Sequence, residues 1–318
     1  MRLQKIDEIR RKMEKGLPSV GTWQQISSSS ISEILGNSGY DWVALDLEHG
    51  SISSKEIPDM FRAFEMNNVL SLARVAQPNE NDCKLVLDAG AGGVIVPMID
   101  NHNQLKNIVN ACCWPPKGNR GVGFSRANLF GKNFENYKKE AQTPLIVAQI
   151  ENINALNNLS KILNVDGLDA VIIGPYDLTA SMGITGNFSH EDFKKVRKEI
   201  LNLCQKYNIP CGEHIVEPNP EVLKQRIQEG FRFLAYSIDA VILNKFVKYQ
   251  YLIDISSSML ESSKERLKNS KIINEDFSDE GIPLKWNSNS EITQSAIEAI
   301  FKIPKTANTM SLMSSKIS

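Results

Sequence analysis

The stretch DWVALDLEHG, residues 41–50, runs from Trp42 to Leu45 without a polar side chain and then breaks into Asp46, Glu48 and His49. A nearly continuous apolar run of this length fits a strand covered on both faces, as in a parallel sheet. Its exit places two carboxylates and an imidazole where the chain leaves that sheet.

The same pattern recurs along the chain. SVGTWQ (19–24), WVALDLE (42–48), VLSLARV (69–75), GGVIVPM (92–98), PLIVAQIE (144–151), LDAVIIGP (168–175), IPCGEHI (209–215) and RFLAYSI (232–238) predict eight strands. Helix-like stretches lie between them, among them EIPDMFRAFEMNN (56–68), ENDCKLVLDAG (80–90) and HEDFKKVRKEILNLCQKY (190–207). Eight βα units in about 240 residues predict a (β/α)8 barrel of the α/β class. A doubly wound open sheet uses the same units with different closure, and local pattern does not separate the two. After about residue 256 the chain turns rich in Ser, Lys and Asn, with one candidate short helix at 290–303. This predicts a barrel over 1–255, opened by a charged helix, and a flexible tail over 256–318.

Composition narrows the class. The chain has 318 residues, 42% of them hydrophobic, which suffices for one large core or a core with a small appendage. The net charge is −1 and no basic patch stands out, which argues against nucleic acid as a partner. The opening MRLQKIDEIRRKMEKG lacks the apolar core of a signal peptide, and no apolar run approaches the roughly 20 residues that span a membrane. The five Cys form no CxxC pair, and the adjacent Cys112 and Cys113 are poorly placed for a bridge. These features predict a reduced, cytoplasmic protein without a membrane partner.

The polar residues gather at one end of the predicted strands. Asp46, Glu48 and His49 follow the second, Arg74 closes the third, and Gln149 and Glu151 close the fifth. Gly174, Pro175, Tyr176 and Asp177 follow the sixth, and Glu213 and His214 end the seventh. In a parallel barrel these ends share one face, where active sites are built. Each residue alone has an ordinary explanation as a helix cap or ion pair. A base, a cation and two carboxylates on one face are much harder to explain structurally. Glu151 and Asp177 are hard oxygen ligands suited, with waters, to Mg²⁺ or Mn²⁺. Asp46, three residues before His49, is expected to orient the imidazole as a base. Arg74 supplies a fixed positive charge for an oxyanion or carboxylate, and GPYDLTASMG (174–183) offers backbone N–H groups to a carboxylate or phosphate. Such a set suits chemistry at the carbon next to a carbonyl.

Other features carry less. The loop KGNRGVGFSRANLFG (117–131) lacks the phosphate-loop pattern and reads as a lid or subunit contact. Ser27–Ser30 reads as a turn or helix cap, and His102 and His190 as surface residues at helix starts. There is no GxSxG elbow, and no predicted strand ends in Lys, which argues against Schiff-base catalysis.

The motifs GTW, DWVALDLEHG, ARV, VIVPMID, PPKGNRGVG, RANLFG, VAQIEN and GPYDLTASMG stand in the order and spacing of the HpcH/HpaI aldolases, which this chain resembles from about residue 17 to 250. The resemblance implies a barrel of the phosphoenolpyruvate/pyruvate-binding type and metal-dependent cleavage of 4-hydroxy-2-oxo acids. RANLFG is similar to the branch acting on keto-deoxy sugar acids. Carried over residue by residue, Glu151 and Asp177 would hold a divalent cation (Mg²⁺, Mn²⁺ or Co²⁺). The backbone of Gly174, Tyr176 and Asp177 would receive the substrate carboxylate beside Gln149. Arg74 would stabilise the enolate oxygen, and His49, supported by Asp46, would take the C4 hydroxyl proton. His214 departs from the usual apolar residue near the aldehyde end, so it either binds a polar aldehyde or is structural. The resemblance further implies a homo-oligomer, a dimer-based hexamer in which the last barrel helix packs on a neighbour. The alternatives are a C–C lyase or synthase using a malyl- or citryl-type donor, and a non-catalytic ligand-binding barrel. A scaffold would have no need of Asp46, His49, Arg74, Glu151 and Asp177 together.

Overall fold

The computed structural model describes residues 2–250. The expectations for residues 256–318, including a helix at 290–303, lie outside them. The elements in chain order are α1 (Arg2–Glu14), β1 (Ser19–Gln24), α2 (Ser29–Gly36), β2 (Trp42–Asp46), α3 (Ile57–Met66), β3 (Leu70–Arg74), α4 (Glu80–Ala89) and β4 (Gly93–Val96). Next come α5 (His102–Cys112), α6 (Phe134–Ala141), β5 (Leu145–Ile150), α7 (Leu159–Ile162), β6 (Ala170–Ile173) and α8 (Pro175–Ser181). The series closes with α9 (Glu191–Lys206), β7 (Cys211–Ile215), α10 (Pro220–Glu229), β8 (Phe233–Ile238) and α11 (Asp239–Gln250).

The strands pair in sequence order, all parallel, and β8 returns to β1 through Ser19↔Phe233 and Val20↔Leu234. That last pairing decides for the barrel over the open sheet. The strands are largely apolar because each has two buried faces. Outward residues such as Val43, Leu45, Val94, Ile146 and Ile173 pack with Phe61, Phe64, Leu87, Ile108 and Ile200 of the surrounding helices. Inward residues Trp42, Ala44, Leu70, Leu72, Ile95, Val147, Ile172 and Phe233 fill the barrel. Ile6, Ile9 and Met13 of α1 join that interior cluster and cover the barrel end from which the strands start. The opposite end, where the strands finish, is left to the polar residues.

Local signals act as their chemistry suggests. Ser28 caps α2, Asn79 caps α4, Asn101 caps α5 and Asn219 caps α10, each through its side-chain oxygen. His190 caps α9 and His102 opens α5. Between Gly21 and Trp23 the β1–β8 register shifts, and Ser237 on β8 takes a left-handed φ of 61°. A bulge of this kind re-aims neighbouring side chains beside a site.

The interior constrains Gly21 tightly. Trp42 stacks on Phe233 with ring centroids 4.5 Å apart, and a Cβ on Gly21 would lie 2.1 Å from the indole. Gly21→Ala is therefore expected to destabilise the barrel by about 3 kcal/mol through overpacking. Adding Trp42→Leu should recover part of that loss, read as the shift of the urea midpoint. A single variant as stable as wild type would show that the indole yields without strain.

Candidate active site

The site begins with register. Asp46 and Arg74 are direct Cα partners at the ends of β2 and β3, both with inward side chains. Arg74 donates through Nε to Asp46 Oδ1 at 2.9 Å and through Nη2 to Oδ2 at 2.6 Å, a two-pronged buried pair. Asp46 also accepts from Gln25 Nε2 at 2.8 Å and from the backbone N–H groups of Glu48 and His49 at 3.1 and 3.2 Å. Burial pushes its carboxyl up, but Arg74 and Gln25 hold it below the usual range overall. One face of the guanidinium lies on the Trp23 ring, 4.5 Å from its centroid, and Nη1 sits 3.2 Å from Glu48 Oε2.

The expected contact between Asp46 and the His49 imidazole does not form. Both carboxylate oxygens are taken by Arg74, Gln25 and backbone, and Asp46 meets His49 only at its main-chain nitrogen. Three residues of separation bring the His49 backbone back over Asp46 while its side chain, 56% exposed, turns to the rim. There the ring Nε2 lies 4.0 Å from Glu48 Oε2, so Glu48 is its acidic neighbour.

Across the mouth, Glu151 follows β5 and Gly174 follows β6. The ladder ends at Ile150↔Ile173, which sets these two residues side by side. A Cβ on Gly174 would lie 2.6 Å from Glu151 Oε2 and 2.9 Å from Gln149 Nε2, so the glycine keeps that oxygen open. Glu151 Oε1 accepts from the Met98 N–H at 2.6 Å, where Met98 adopts a left-handed φ of 52°, and Oε2 accepts from Gln149 Nε2. Burial pushes the Glu151 carboxyl up to about 7, with Glu48 and Asp177 adding repulsion against the Met98 hydrogen bond. Burial likewise raises Glu48, with Arg74 opposing. Asp177 is exposed in the first turn of α8, beside Tyr176, whose ring packs edge-on against Phe188.

These carboxylates fit a hard divalent cation. Glu151, Asp177 and Glu48 repel one another, Gln149 Oε1 is buried without a partner among the described residues, and Gly174 leaves the approach clear. Among the described residues no three Asp, Glu, His or Cys side chains close around a single point. The protein would supply part of a shell and leave the rest to water and substrate oxygens, as suits Mg²⁺-like ions.

His214, next to last in β7, pairs with Ala235 and points inward, its ring 5.3 Å from that of Trp23. Burial, with help from the Arg74 charge, lowers it to about 3 against a hydrogen bond to the Ser237 backbone. The neutral ring keeps a buried Nε2 without a partner among the described residues. Its neighbour Glu213 points outward, held under α9 and α10 by Arg226 at 2.9 Å and Arg197 at 3.9 Å. The structure thus brings Asp46, Glu48, His49, Arg74, Gln149, Glu151, Gly174, Tyr176, Asp177 and His214 to one end of the barrel, and separates Glu213 from them. Trp23 and Gln25 join the site without being singled out by sequence. The strand-end rule applied to β1, which finishes at Gln24, points to both.

Residues 19–244 match the HpcH/HpaI aldolase/citrate lyase family. The chain is 35% identical to a hydroxypyruvate/pyruvate aldolase of Roseobacter denitrificans, over 75% of this chain and 94% of that one. It is 34% identical to a 2-keto-3-deoxy-L-rhamnonate aldolase of Klebsiella pneumoniae, over 73% of this chain and 87% of that one. Among solved structures, a HpcH/HpaI aldolase/citrate lyase family protein from Burkholderia cenocepacia superposes with a TM-score of 0.72 at 25% identity, covering 77% of this chain and 98% of that one.

The low pKa of His214 gives a pH signature with a definite sign. Its folded value of about 3 lies below the ordinary 6.5, so the unfolded chain binds the proton first. Stability is complete above pH 6.5 and falls as pH drops towards 3, by about 2 kcal/mol between pH 7 and pH 5. His214→Gln should lose that much less over the same interval in denaturant unfolding. Parallel losses in the two proteins would mean that the imidazole is solvated in the fold.

Proposed function

The chain belongs to the HpcH/HpaI aldolase/citrate lyase family, and from that premise we propose how its barrel mouth performs the chemistry. The protein is a carbon–carbon lyase that cleaves a 2-oxo acid into pyruvate and an aldehyde. We assign it a 4-hydroxy-2-oxo acid, with a keto-deoxy sugar acid as the substrate class. The RANLFG segment and the rhamnonate aldolase relative support that class.

One observation carries the assignment of roles. The mouth is split between a guanidinium fixed by a buried carboxylate and a set of acidic groups short of positive charge, with Glu151 raised to about 7. Glu151 and Asp177 would hold a divalent cation, Mg²⁺, Mn²⁺ or Co²⁺, there. When bound, it would polarise the keto oxygen and offset the carboxylate charge of the substrate. Gln149 stands beside that carboxylate, with Gly174 and the backbone at Tyr176 and Asp177 receiving it. His49, at the rim beside Glu48, takes the proton from the C4 hydroxyl. The C3–C4 bond then breaks, its electron pair passes into the enolate of pyruvate, and the C4 carbonyl leaves as aldehyde. Arg74 faces the negative charge that develops on the enolate oxygen, and protonation at C3 gives pyruvate. Asp46 is a positioning residue for Arg74. His214, neutral and with an Nε2 that has no partner among the described residues, accepts a hydrogen bond from a hydroxyl on the aldehyde half.

We also assign a homo-oligomer. Phe124 and Phe130 on one loop and Phe246 and Val247 on α11 are exposed large apolar side chains, which supports a second copy as neighbour. Among the described residues no helix is long and apolar enough to cross a membrane.

Two reactions separate the roles. Aldol cleavage needs a base for the hydroxyl proton, whereas oxaloacetate decarboxylation needs only stabilisation of the same enolate. His49→Ala should lower cleavage by about 10²–10⁴-fold and leave decarboxylation largely intact. Arg74→Ala should damage both. Equal loss of both in His49→Ala, with metal still bound, would move His49 onto the enolate.

Chelation should abolish both activities, and Mn²⁺ or Mg²⁺ should restore them. Covalent labelling of a lysine by borohydride in the presence of pyruvate would instead establish Schiff-base chemistry.

A further inference from the structure

We infer that Gln25 is a positioning residue for the reaction, held by Asp239, and that the two form a latch fixing the orientation of the Asp46–Arg74 pair. The inference rests on the role of Arg74 proposed above. Arg74 and two backbone N–H groups hold Oδ1 of Asp46, whereas Oδ2 has only Arg74 from the β2–β3 side. In the broad torsional well of a carboxylate, the donor added at Oδ2 therefore sets the tilt of the pair. Among the described residues Gln25 Nε2, at 2.8 Å from Oδ2, is the one side-chain donor to Asp46 from outside β2 and β3. As a neutral amide it fixes the carboxylate without competing for its charge. A lysine there would draw Asp46 away from Arg74, and a carboxylate would repel it.

Gln25 is itself clamped. Asp239, at the junction of β8 and α11, accepts from the Gln25 N–H at 2.9 Å and the Ile26 N–H at 3.0 Å. It also accepts from its own helix at Ala240 N, 2.7 Å away. From above, the turn that carries Glu48 and His49 closes on the same residue. A Cβ on Gly50 would lie 3.3 Å from Gln25 Cα and 2.2 Å from the Asp46 carbonyl oxygen. Hydrogen bonds therefore run from the end of β8 through β1 to the β2–β3 ion pair. Capping α11 explains the Ala240 contact, but it does not explain a glutamine side chain spent on a fully buried carboxylate.

The test uses the full-length, metal-loaded protein and oxaloacetate decarboxylation between pH 5.5 and 8. Gln25→Met keeps length and removes the donor; it should lower kcat about tenfold at every pH with KM within about twofold of wild type. In Gln25→Glu the introduced carboxyl faces Asp46, Asp239 and Arg74, with Glu48 and His49 on the turn above. Protonated, it donates as the amide does; ionised, it repels Asp46. Its kcat relative to wild type should therefore fall about tenfold as pH rises across the range. Wild-type kcat in both variants would overturn the latch. So would a pH-independent loss in both that tracks a lowered melting midpoint, since that marks a structural role alone. Arg74→Ala is the control. If it alone loses turnover, only the latch falls; if it keeps turnover, the reading of Arg74 falls and the latch with it.

Discussion

The mouth of this barrel is organised by one buried ion pair. Asp46 and Arg74 meet because parallel closure sets the last residues of β2 and β3 side by side. Neither charge could stay buried alone: removing one partner of such a pair costs about 3–5 kcal/mol, because the other is left uncompensated. The pair is better understood as a fixed point than as a source of stability. Two backbone N–H groups after β2, the Gln25 amide and the Trp23 ring all take their places against it.

The other side of the mouth has the opposite electrostatics. Asp46 and Glu151 are both buried carboxylates, yet one is held low and the other is raised to about 7. The difference lies in their partners. Asp46 has a guanidinium in bidentate contact, whereas Glu151 has two backbone or amide donors and two acidic neighbours. The unanswered negative charge of the mouth thus lies at Glu151 and not at Asp46, whose charge is already answered. Burial keeps His214 neutral between these regions, beside Trp23, so it offers a hydrogen-bond acceptor where a charged ring would repel Arg74.

Much of this is legible in the sequence, for physical reasons. Strands buried on both faces are largely apolar, so their runs stand out and their polar exits mark one face. Closure is not legible, because the pairing of Ser19 with Phe233 leaves no local trace in either segment. The partner of Asp46 escapes a sequence reading for a related cause. Sequence spacing suggests His49, but lateral register between strands selects Arg74, and register depends on the whole barrel. Gln25 gives no signal, since an amide has no chemistry of its own until the fold brings a buried carboxylate against it. The role of Gly174 likewise needs Glu151 beside it before the missing side chain has meaning.

The end of β7 has a consequence beyond catalysis. Glu213 is tied outward to Arg226 and Arg197, while His214, its immediate neighbour, faces the mouth. A strand that slipped by one position would turn the imidazole under the helices and bring a carboxylate against the Trp23 ring. Both errors strand polar groups in dry surroundings, and they arise together from one movement. The two residues therefore act as a proofreading device for the strand, in which a misaligned β7 is penalised on both faces before any substrate arrives.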